Sequence, residues 1–168
     1  MKQLTLMTLL VLLLPVGAYA TICSINSYFS PFDNIEDAVH AKLLLSKKSV
    51  HCSLFGISNE QLAQDLVTLK KKGIEVFVAE DKKQAALNAD KHTFLKENGV
   101  SVEIKHSGIL EHNKFCVIDD ETVIMGSWNW SHSAQAQDNS DVIFTDCPKQ
   151  ADQFEAAFKR IWERDSLP

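Results

Sequence analysis

Helical and strand-like segments alternate along this chain from Asn34 onward, and this alternation limits the possible folds more than any other feature of the sequence. Gly73 and Gly99 mark the ends of two helical segments. Short runs rich in strand-forming residues lie between the helices. We expect strands near residues 49–57, 75–79, 100–104 and 142–144, two more strands between 112 and 129, and a final helix that opens at Pro148.

This pattern predicts an α/β fold in which a mixed β-sheet is flanked by helices. The chain has 168 residues, of which 45% are hydrophobic, and that is enough for one domain with its own core. We therefore assign residues 21–168 to a single domain.

The first twenty residues have the composition of an export signal. Lys2 precedes an apolar run over residues 4–16 that is short for a membrane span, and residues 18–20 read Ala-Tyr-Ala, the small-x-small pattern of a signal peptidase site. We expect a signal peptide over residues 1–20, a periplasmic or secreted protein, and no stable membrane span after cleavage. An uncleaved anchor is the alternative. A lipoprotein is disfavoured because Ile22, which is not a small residue, precedes Cys23.

The net charge of −5 argues against broad, non-specific coating of nucleic acid, so a polyanionic substrate would need a local basic cluster. An exported chain with four cysteines is expected to form one or two disulfides, and three pairings are open if two form. The cysteines are Cys23, Cys52, Cys116 and Cys147. Their spacing is not that of a zinc site, and we expect no metal cofactor.

One constellation between residues 112 and 129 carries the chemistry of the chain. Its pattern is H-x-K-x4-D-x6-G-S-x-N, which fixes six residue identities over eighteen positions and is therefore a specific signal. The six residues are His112, Lys114, Asp119, Gly126, Ser127 and Asn129.

The spacing of this constellation suits a phosphodiester. His112 and Lys114 lie two apart on a predicted strand, so both would face one side, about 6 to 7 Å apart. A hairpin turn at residues 119–121 would pair positions that sum to about 240 and fold the two halves of the motif together. Gly126 would let backbone amides approach a phosphate, and Ser127 and the motif asparagine would donate to its non-bridging oxygens.

In these residues, and in its Tyr28-Phe29-Ser30-Pro31 segment, the chain resembles the small secreted bacterial endonucleases of the phospholipase D superfamily. The resemblance covers nearly all of residues 21–168. It implies a covalent phosphohistidine: a neutral His112 attacks phosphorus, a second motif histidine protonates the leaving group, and water releases the product. Lys114 and Asn129 would stabilise the charge on the equatorial oxygens, in place of the metal cation that many other nucleases use.

The second histidine of this scheme must come from another chain. The other H-x-K triplet, His40-Ala41-Lys42, lies on a predicted helix, where residues two apart point in different directions. We therefore expect a homodimer whose two-fold axis brings both copies of His112 to one active site. The resemblance to endonucleases implies DNA or RNA as the substrate.

Two acidic residues, Asp119 and Asp141, belong to the motif or follow it. The family usually has an N-x-E triplet whose glutamate hydrogen-bonds the nucleophilic histidine, and here the matching triplet ends in the shorter Asp141. Asp119 is interpreted as a hairpin residue that bonds nearby backbone amides, with a direct catalytic role as the alternative.

Aromatic neighbours of the motif also have two interpretations. Trp128 and Trp130 could stack on bases or pack in the core. Cys116 is expected to be packed or disulfide-bonded. Two other functions remain open: a lipid phosphodiesterase of the same superfamily, and a nucleic-acid-binding or host-interaction protein that keeps the fold without catalysis. The complete motif argues against the second.

Overall fold

The computed structural model describes residues 22–106 and 108–166, and within them seven strands form one sheet flanked by five α-helices. The strands are β1 (Ser24–Ser30), β2 (Ser49–Leu54), β3 (Glu75–Asp81), β4 (Ser101–Lys105), β5 (Lys114–Ile118), β6 (Thr122–Gly126) and β7 (Asn139–Thr145). The helices are α1 (Ile35–Leu44), α2 (Glu60–Lys71), α3 (Lys82–Ala85), α4 (His92–Glu97) and α5 (Pro148–Glu163). The predicted α/β fold with a mixed, helix-flanked sheet is confirmed.

The export signal expected over residues 1–20 lies outside the described residues, so it stays a prediction. In the part of the chain that the structure describes, none of the helices is both long and apolar enough to cross a membrane.

The sheet joins a parallel half to an antiparallel half. The strands lie in the order β1-β7-β6-β5-β2-β3-β4. β2, β3 and β4 are mutually parallel because helices carry the chain back between them, whereas β5, β6, β7 and β1 are antiparallel neighbours. The halves meet where β5 pairs antiparallel with β2. This arrangement puts the strand of the motif in the middle of the sheet.

Both faces of the central strands β2 and β5 are buried, as expected where helices cover each side. One face packs against α1, α2 and α4 in the larger core cluster. The other face is covered by α5, and alternate residues of β5, Phe115 and Val117, point into that second cluster. The apolar side chains of the last helix pack there: Phe154, Ala157, Phe158, Ile161 and Trp162.

Two disulfides resolve the pairing of the four cysteines. Cys52 and Cys116 lie directly opposite each other on β2 and β5, with their Cα atoms 4.1 Å apart, and they join the two halves of the sheet. Cys23 is bonded to Cys147, which ties the segment before β1 to the start of α5. The prediction of disulfides, including a bonded Cys116, agrees with this structure.

Several helix boundaries differ from the sequence-based expectation. The helical segment that was expected to end at Gly99 is instead the pair α3 and α4, because Asp81 and Asp90 each accept a backbone N–H at a new helix start. α1 ends at Leu44, earlier than expected, since the backbone amides that follow donate to Asp119. Side-chain acceptors that are distant in sequence therefore redirect the local helical pattern.

Candidate active site

The two halves of the motif meet at one end of the central strands, where β5 begins. The register pairs Phe115 with Met125 and Ile118 with Thr122, so paired positions sum to 240 as the sequence predicts. β7 adds a third strand, in which Asp141 lies opposite Gly126. Neighbouring strands therefore deliver both parts of the motif and an acidic residue to the same place.

His112 does not lie on the strand, which corrects the expected strand geometry of the motif. β5 begins at Lys114, and His112 is exposed on the loop that leads into it. The cause is Glu111, whose carboxylate is buried and accepts hydrogen bonds from the Ser53 hydroxyl at 2.8 Å and from the Asn113 side-chain amide at 2.6 Å. These bonds draw the chain out of the strand and present the imidazole to solvent.

Glu111 also contacts the C-terminal part of the domain. One guanidinium nitrogen of Arg164 donates to its second carboxylate oxygen at 3.4 Å. Its own backbone N–H donates to Asp81 at 3.2 Å. The sequence alone did not predict this anchoring function of Glu111, because its partners come from distant segments of the chain.

Phe55 is a second residue that contacts the site and that the sequence did not predict. Its ring meets the His112 ring edge-on, with 4.6 Å between centroids, and lies 5.1 Å from the Lys114 ammonium nitrogen. That ammonium donates to the His112 carbonyl oxygen at 2.7 Å. Phe55 comes directly after β2, so the pairing of β2 with β5 places it here. The nucleophile candidate and the lysine thus share one aromatic neighbour.

Lys114 and Asp141 form the charged floor of the site, and both are buried. Burial lowers the pKa of Lys114, against the opposing influence of the Glu111 and Asp141 carboxylates. Burial raises the pKa of Asp141 to about 6, although backbone amides and the Lys114 charge favour its ionised form. The charge of each group therefore favours the ionised form of the other.

Asp141 does not hold the His112 imidazole, so that part of the resemblance-based expectation is wrong for this chain. Its Oδ1 accepts the Trp128 backbone N–H at 3.0 Å, and its carboxylate also interacts with the backbone amide of Ser127. The shorter side chain stays close to its own strand and braces the turn that follows β6.

Gly126 is required by this arrangement. A Cβ atom at Gly126 would collide with the Asp141 carboxylate and with the Ser140 carbonyl oxygen. The missing side chain therefore makes room for the acid on the neighbouring strand, and the expected close approach of Gly126 to a phosphate stays a prediction.

The motif serine and asparagine lie at the surface of the site. The Ser127 hydroxyl is exposed, accepts the Ser140 backbone N–H at 3.0 Å and faces the Asn139 side-chain oxygen at 3.4 Å. Asn129 is half-buried, and its Oδ1 has no hydrogen-bond partner among the described residues. Their expected donation to phosphate oxygens remains a prediction.

Asp119 lies at the other end of β5, about 16 Å from Lys114 by strand geometry, and this excludes the direct catalytic role given as its alternative. Its buried carboxylate accepts the backbone N–H groups of Lys47 and Lys48 at 2.7 Å and of Ser49 at 3.0 Å. Asp119 and Asp120 form the turn with φ of 56° and 60°. The structural interpretation of Asp119 agrees with this geometry.

Trp128 and Trp130 do not line a base-binding surface. Their exposed fractions are 0% and 1%, because the chain leaves the strand after Gly126 and turns both indoles into the larger core. Stacking on bases is therefore wrong for both residues, and packing is correct.

A cavity of about 280 Å³ lies beside the site. Phe55 and Asn129 are part of its wall, so the cavity adjoins both the His112 contact and the motif. As for metals, residues 22–106 and 108–166 contain no group of three or more His, Cys, Asp or Glu side chains able to hold an ion.

Comparison with known proteins gives a family model that matches residues 24–162, described as "Cardiolipin synthase, PLD-like domain". Among curated relatives are proteins named mitochondrial cardiolipin hydrolase. The Homo sapiens protein is 30% identical over 122 residues, which cover 73% of this chain and 48% of that protein; the Danio rerio protein is 29% identical over 122 residues, covering 72% and 54%. The chain thus spans about half the length of these relatives.

Solved structures share the fold. Nuc from Salmonella typhimurium, a phospholipase D family member, superposes with a TM-score of 0.80 at 21% identity, covering 84% of this chain and 95% of that chain. NucT from Helicobacter pylori gives a TM-score of 0.76 at 16% identity, covering 84% and 97%.

Proposed function

The chain belongs to the phospholipase D superfamily of phosphodiesterases, and from that premise we propose that it is an exported endonuclease that hydrolyses phosphodiester bonds in DNA or RNA. One observation carries the proposal: an exposed imidazole, His112, stands beside the buried ammonium group of Lys114 at the edge of the sheet. A nucleophile and a fixed positive charge are the two groups that attack on an anionic diester first requires.

The proposed reaction has two steps. In the first, a neutral His112 nitrogen attacks phosphorus, a P–N bond forms, and the P–O bond to the leaving group breaks. His112 of a second copy gives the leaving oxygen its proton. In the second, that same histidine accepts a proton from water as the water attacks phosphorus and the P–N bond breaks. Lys114, Ser127 and Asn129 donate to the non-bridging oxygens throughout.

A second copy is proposed because the other H-x-K triplet of this chain does not supply the acid. The other H-x-K triplet sits on α1, where its two motif-like residues serve other contacts. His40 Nδ1 lies 2.6 Å from Asp65 Oδ2, and Lys42 donates to the Thr145 hydroxyl at 3.0 Å. Neither side chain is available as the acid, which supports a homodimeric enzyme in which each copy supplies one His112.

Subunit mixing tests the dimer. If both copies of His112 serve one site, equal amounts of wild type and His112→Ala, allowed to exchange subunits, retain about one quarter of the wild-type dimer activity. Independent subunits would retain about one half. The half-activity result, or full activity in a sample that sediments as a monomer, would overturn the shared site.

A lipid phosphodiesterase is the second candidate, because two exposed apolar residues lie next to the site. Ile109 and Leu110 are 60% and 52% exposed, and they directly precede Glu111 and His112. An apolar loop at the rim suits contact with a membrane surface. The relatives named cardiolipin hydrolase make cardiolipin the lipid to test.

A substrate comparison separates the two candidates. A fluorescent oligonucleotide and vesicles of phosphatidylcholine with or without cardiolipin are incubated with the enzyme in excess EDTA. We expect cleavage of the oligonucleotide, and the variant Ile109→Ser/Leu110→Ser should retain it because both side chains are exposed. Cleavage of lipid alone, lost in that variant, would replace the nuclease with the lipid enzyme.

The proposed location is the periplasm or the exterior of the cell. Two disulfides support it, since such bonds persist in oxidising compartments. Detection of a mature N-terminus at Thr21 in a periplasmic fraction would test both the location and the cleavage after Ala20.

A further inference from the structure

The cavity beside the site has a wall of unusual chemistry for a chain that acts on anions. Its apolar surface comes from Phe55, Ile57 and Leu87. Its polar surface comes from neutral amides and hydroxyls, among them Gln84 and Asn129, with further serines around the rim. Among residues 22–106 and 108–166, neither Lys nor Arg contributes to this wall. A second phosphate or an anionic headgroup would find no counter-charge in it.

The acidic residue of the wall is already engaged. Asp90 accepts the His92 backbone N–H at 2.7 Å, and its Oδ1 lies 2.8 Å from His92 Nδ1. Behind it lies Glu80, which is fully buried. Burial, followed by a hydrogen bond to Asp90, raises the pKa of Glu80 to about 10. The hydrogen bond that a protonated Glu80 donates to Asp90 favours the neutral acid, although the Ile57 backbone amide favours the carboxylate.

Two amides of the wall remain unused by the protein itself. Among the described residues, the Gln84 side-chain amide makes no hydrogen bond, and Asn129 Oδ1 is buried without a donor. An unpaired buried carbonyl oxygen is unfavourable, so a ligand N–H group that donates to Asn129 Oδ1 would be bound well. Gln84 is held in place by the close packing of its Cβ over Gly56.

The cavity is also of the right size and position for one planar ring. At about 280 Å³ it is close to the lower end of small-molecule pockets, which begin near 300 Å³. Phe55 lies between the cavity and His112, so a group in the cavity would lie near the phosphorus atom that His112 attacks. Apolar faces with neutral donors and acceptors at the edge are what a nucleobase requires.

We infer that this cavity receives a nucleobase adjacent to the scissile phosphodiester, with Phe55 and Leu87 on its faces and Gln84 and Asn129 at its polar edge. The inference rests on the proposed nuclease function and deepens it, because it assigns a specificity-determining residue, Gln84, outside the motif. Acyl chains would leave the amides unpaired, and a second phosphate would lie in a wall without cations.

The test uses hexathymidylates in which one central linkage is an ordinary phosphodiester and the others are phosphorothioates. In two further substrates the base on the 5′ or the 3′ side of that linkage is replaced by an abasic residue. Hydrolysis by the full chain is followed by chromatography for wild type, Gln84→Leu and a matched control, Gln153→Leu. Gln153 is exposed on α5, outside the cavity.

Removal of the base on one side should lower kcat/KM by about tenfold, the equivalent of one stacked base. Gln84→Leu should reduce that dependence on the base about fivefold, as expected for one neutral hydrogen bond, and Gln153→Leu should leave it unchanged. If all three oligonucleotides are hydrolysed at equal rates, the base site is overturned and the nuclease stands. If none is hydrolysed while cardiolipin is, the proposed function falls as well.

Discussion

The two ends of β5 carry residues of one sequence motif, yet they differ in almost every physical respect. At the end near His112, side chains are exposed or only partly satisfied, and the buried Lys114 and Asp141 both have shifted pKa values. At the far end, the Asp119 carboxylate is buried and accepts three backbone N–H groups.

A single sequence motif can therefore combine residues that do chemistry with residues that stabilise the fold. Unsatisfied polar groups and displaced pKa values cluster where substrate is handled, whereas fully satisfied ones stabilise the fold. Asp119 holds the residues that open β2, and β2 in turn places Phe55 beside His112. The architectural end therefore supports the chemical end from a distance.

The largest expected effect is at the chemical end. His112→Ala should lower kcat on an oligonucleotide by about 10³-fold or more, because the proposed phosphorus–nitrogen bond forms at this imidazole. The free energy of unfolding should change by less than about 1 kcal/mol, since the side chain is exposed. His106→Ala, at another exposed histidine, serves as the control. Retained cleavage would show that His112 is not the nucleophile. Lost cleavage with retained DNA binding would exclude a function based on binding alone.

Asp119→Ala should show the opposite behaviour. It leaves three backbone N–H groups without their acceptor and puts alanine at a positive φ, so the free energy of unfolding should fall by about 4 kcal/mol. Urea titration measures this change. Activity per folded molecule should persist, and Asp119→Asn should be milder because asparagine tolerates this φ. A loss of kcat without a loss of stability would show that Asp119, like His112, acts in the reaction and not in the fold.

Asp141→Asn tests the charge buried near the site. The pKa of Asp141 rises from 3.8 to about 6 on folding, so the wild type loses stability as the pH rises through this range. A neutral asparagine escapes that loss. Relative to wild type, the variant should therefore gain up to about 3 kcal/mol between pH 4 and pH 8, measured by urea unfolding at each pH. An equal difference at both pH values would show that Asp141 carries no such penalty.

The smallest expected effect concerns the aromatic contact. Phe55→Leu keeps an apolar group but removes the edge contact with His112 and the cation–π contact with Lys114, worth about 1 kcal/mol together. Activity should fall about fivefold. Phe154→Leu, on the face covered by α5, is the matched control. If both substitutions lowered activity equally, the contacts of Phe55 with His112 and Lys114 would make no specific contribution to activity.

Periodicity and spacing predicted the fold class and the pairing within the motif hairpin. The register of Phe115 with Met125 was available because turn residues and strand length are local properties. The strand β1 at the sheet edge was not foreseen, and the start of β5 was placed too early. Both depend on partners far along the chain: β7 for the first and the Ser53 and Arg164 contacts of Glu111 for the second.

Errors at the site itself have a common physical origin. The sequence identified Trp128 and Trp130 as neighbours of the motif but not the turn that carries them inward after Gly126. It also matched Asp141 to a family glutamate, although the missing methylene leaves its carboxylate with the turn amides. Side-chain reach and chain direction after a strand are tertiary properties, and a spacing rule does not contain them.

The buried Glu111 has a consequence for the entropy of catalysis. An exposed loop that becomes ordered only around its substrate loses about 1 to 2 kcal/mol of conformational freedom per residue at that moment. Here the loop is fixed from below by Ser53, Asn113 and Arg164 before any substrate arrives. The cost of immobilising His112 is met when the chain folds, so more of the binding free energy is left to act on the transition state.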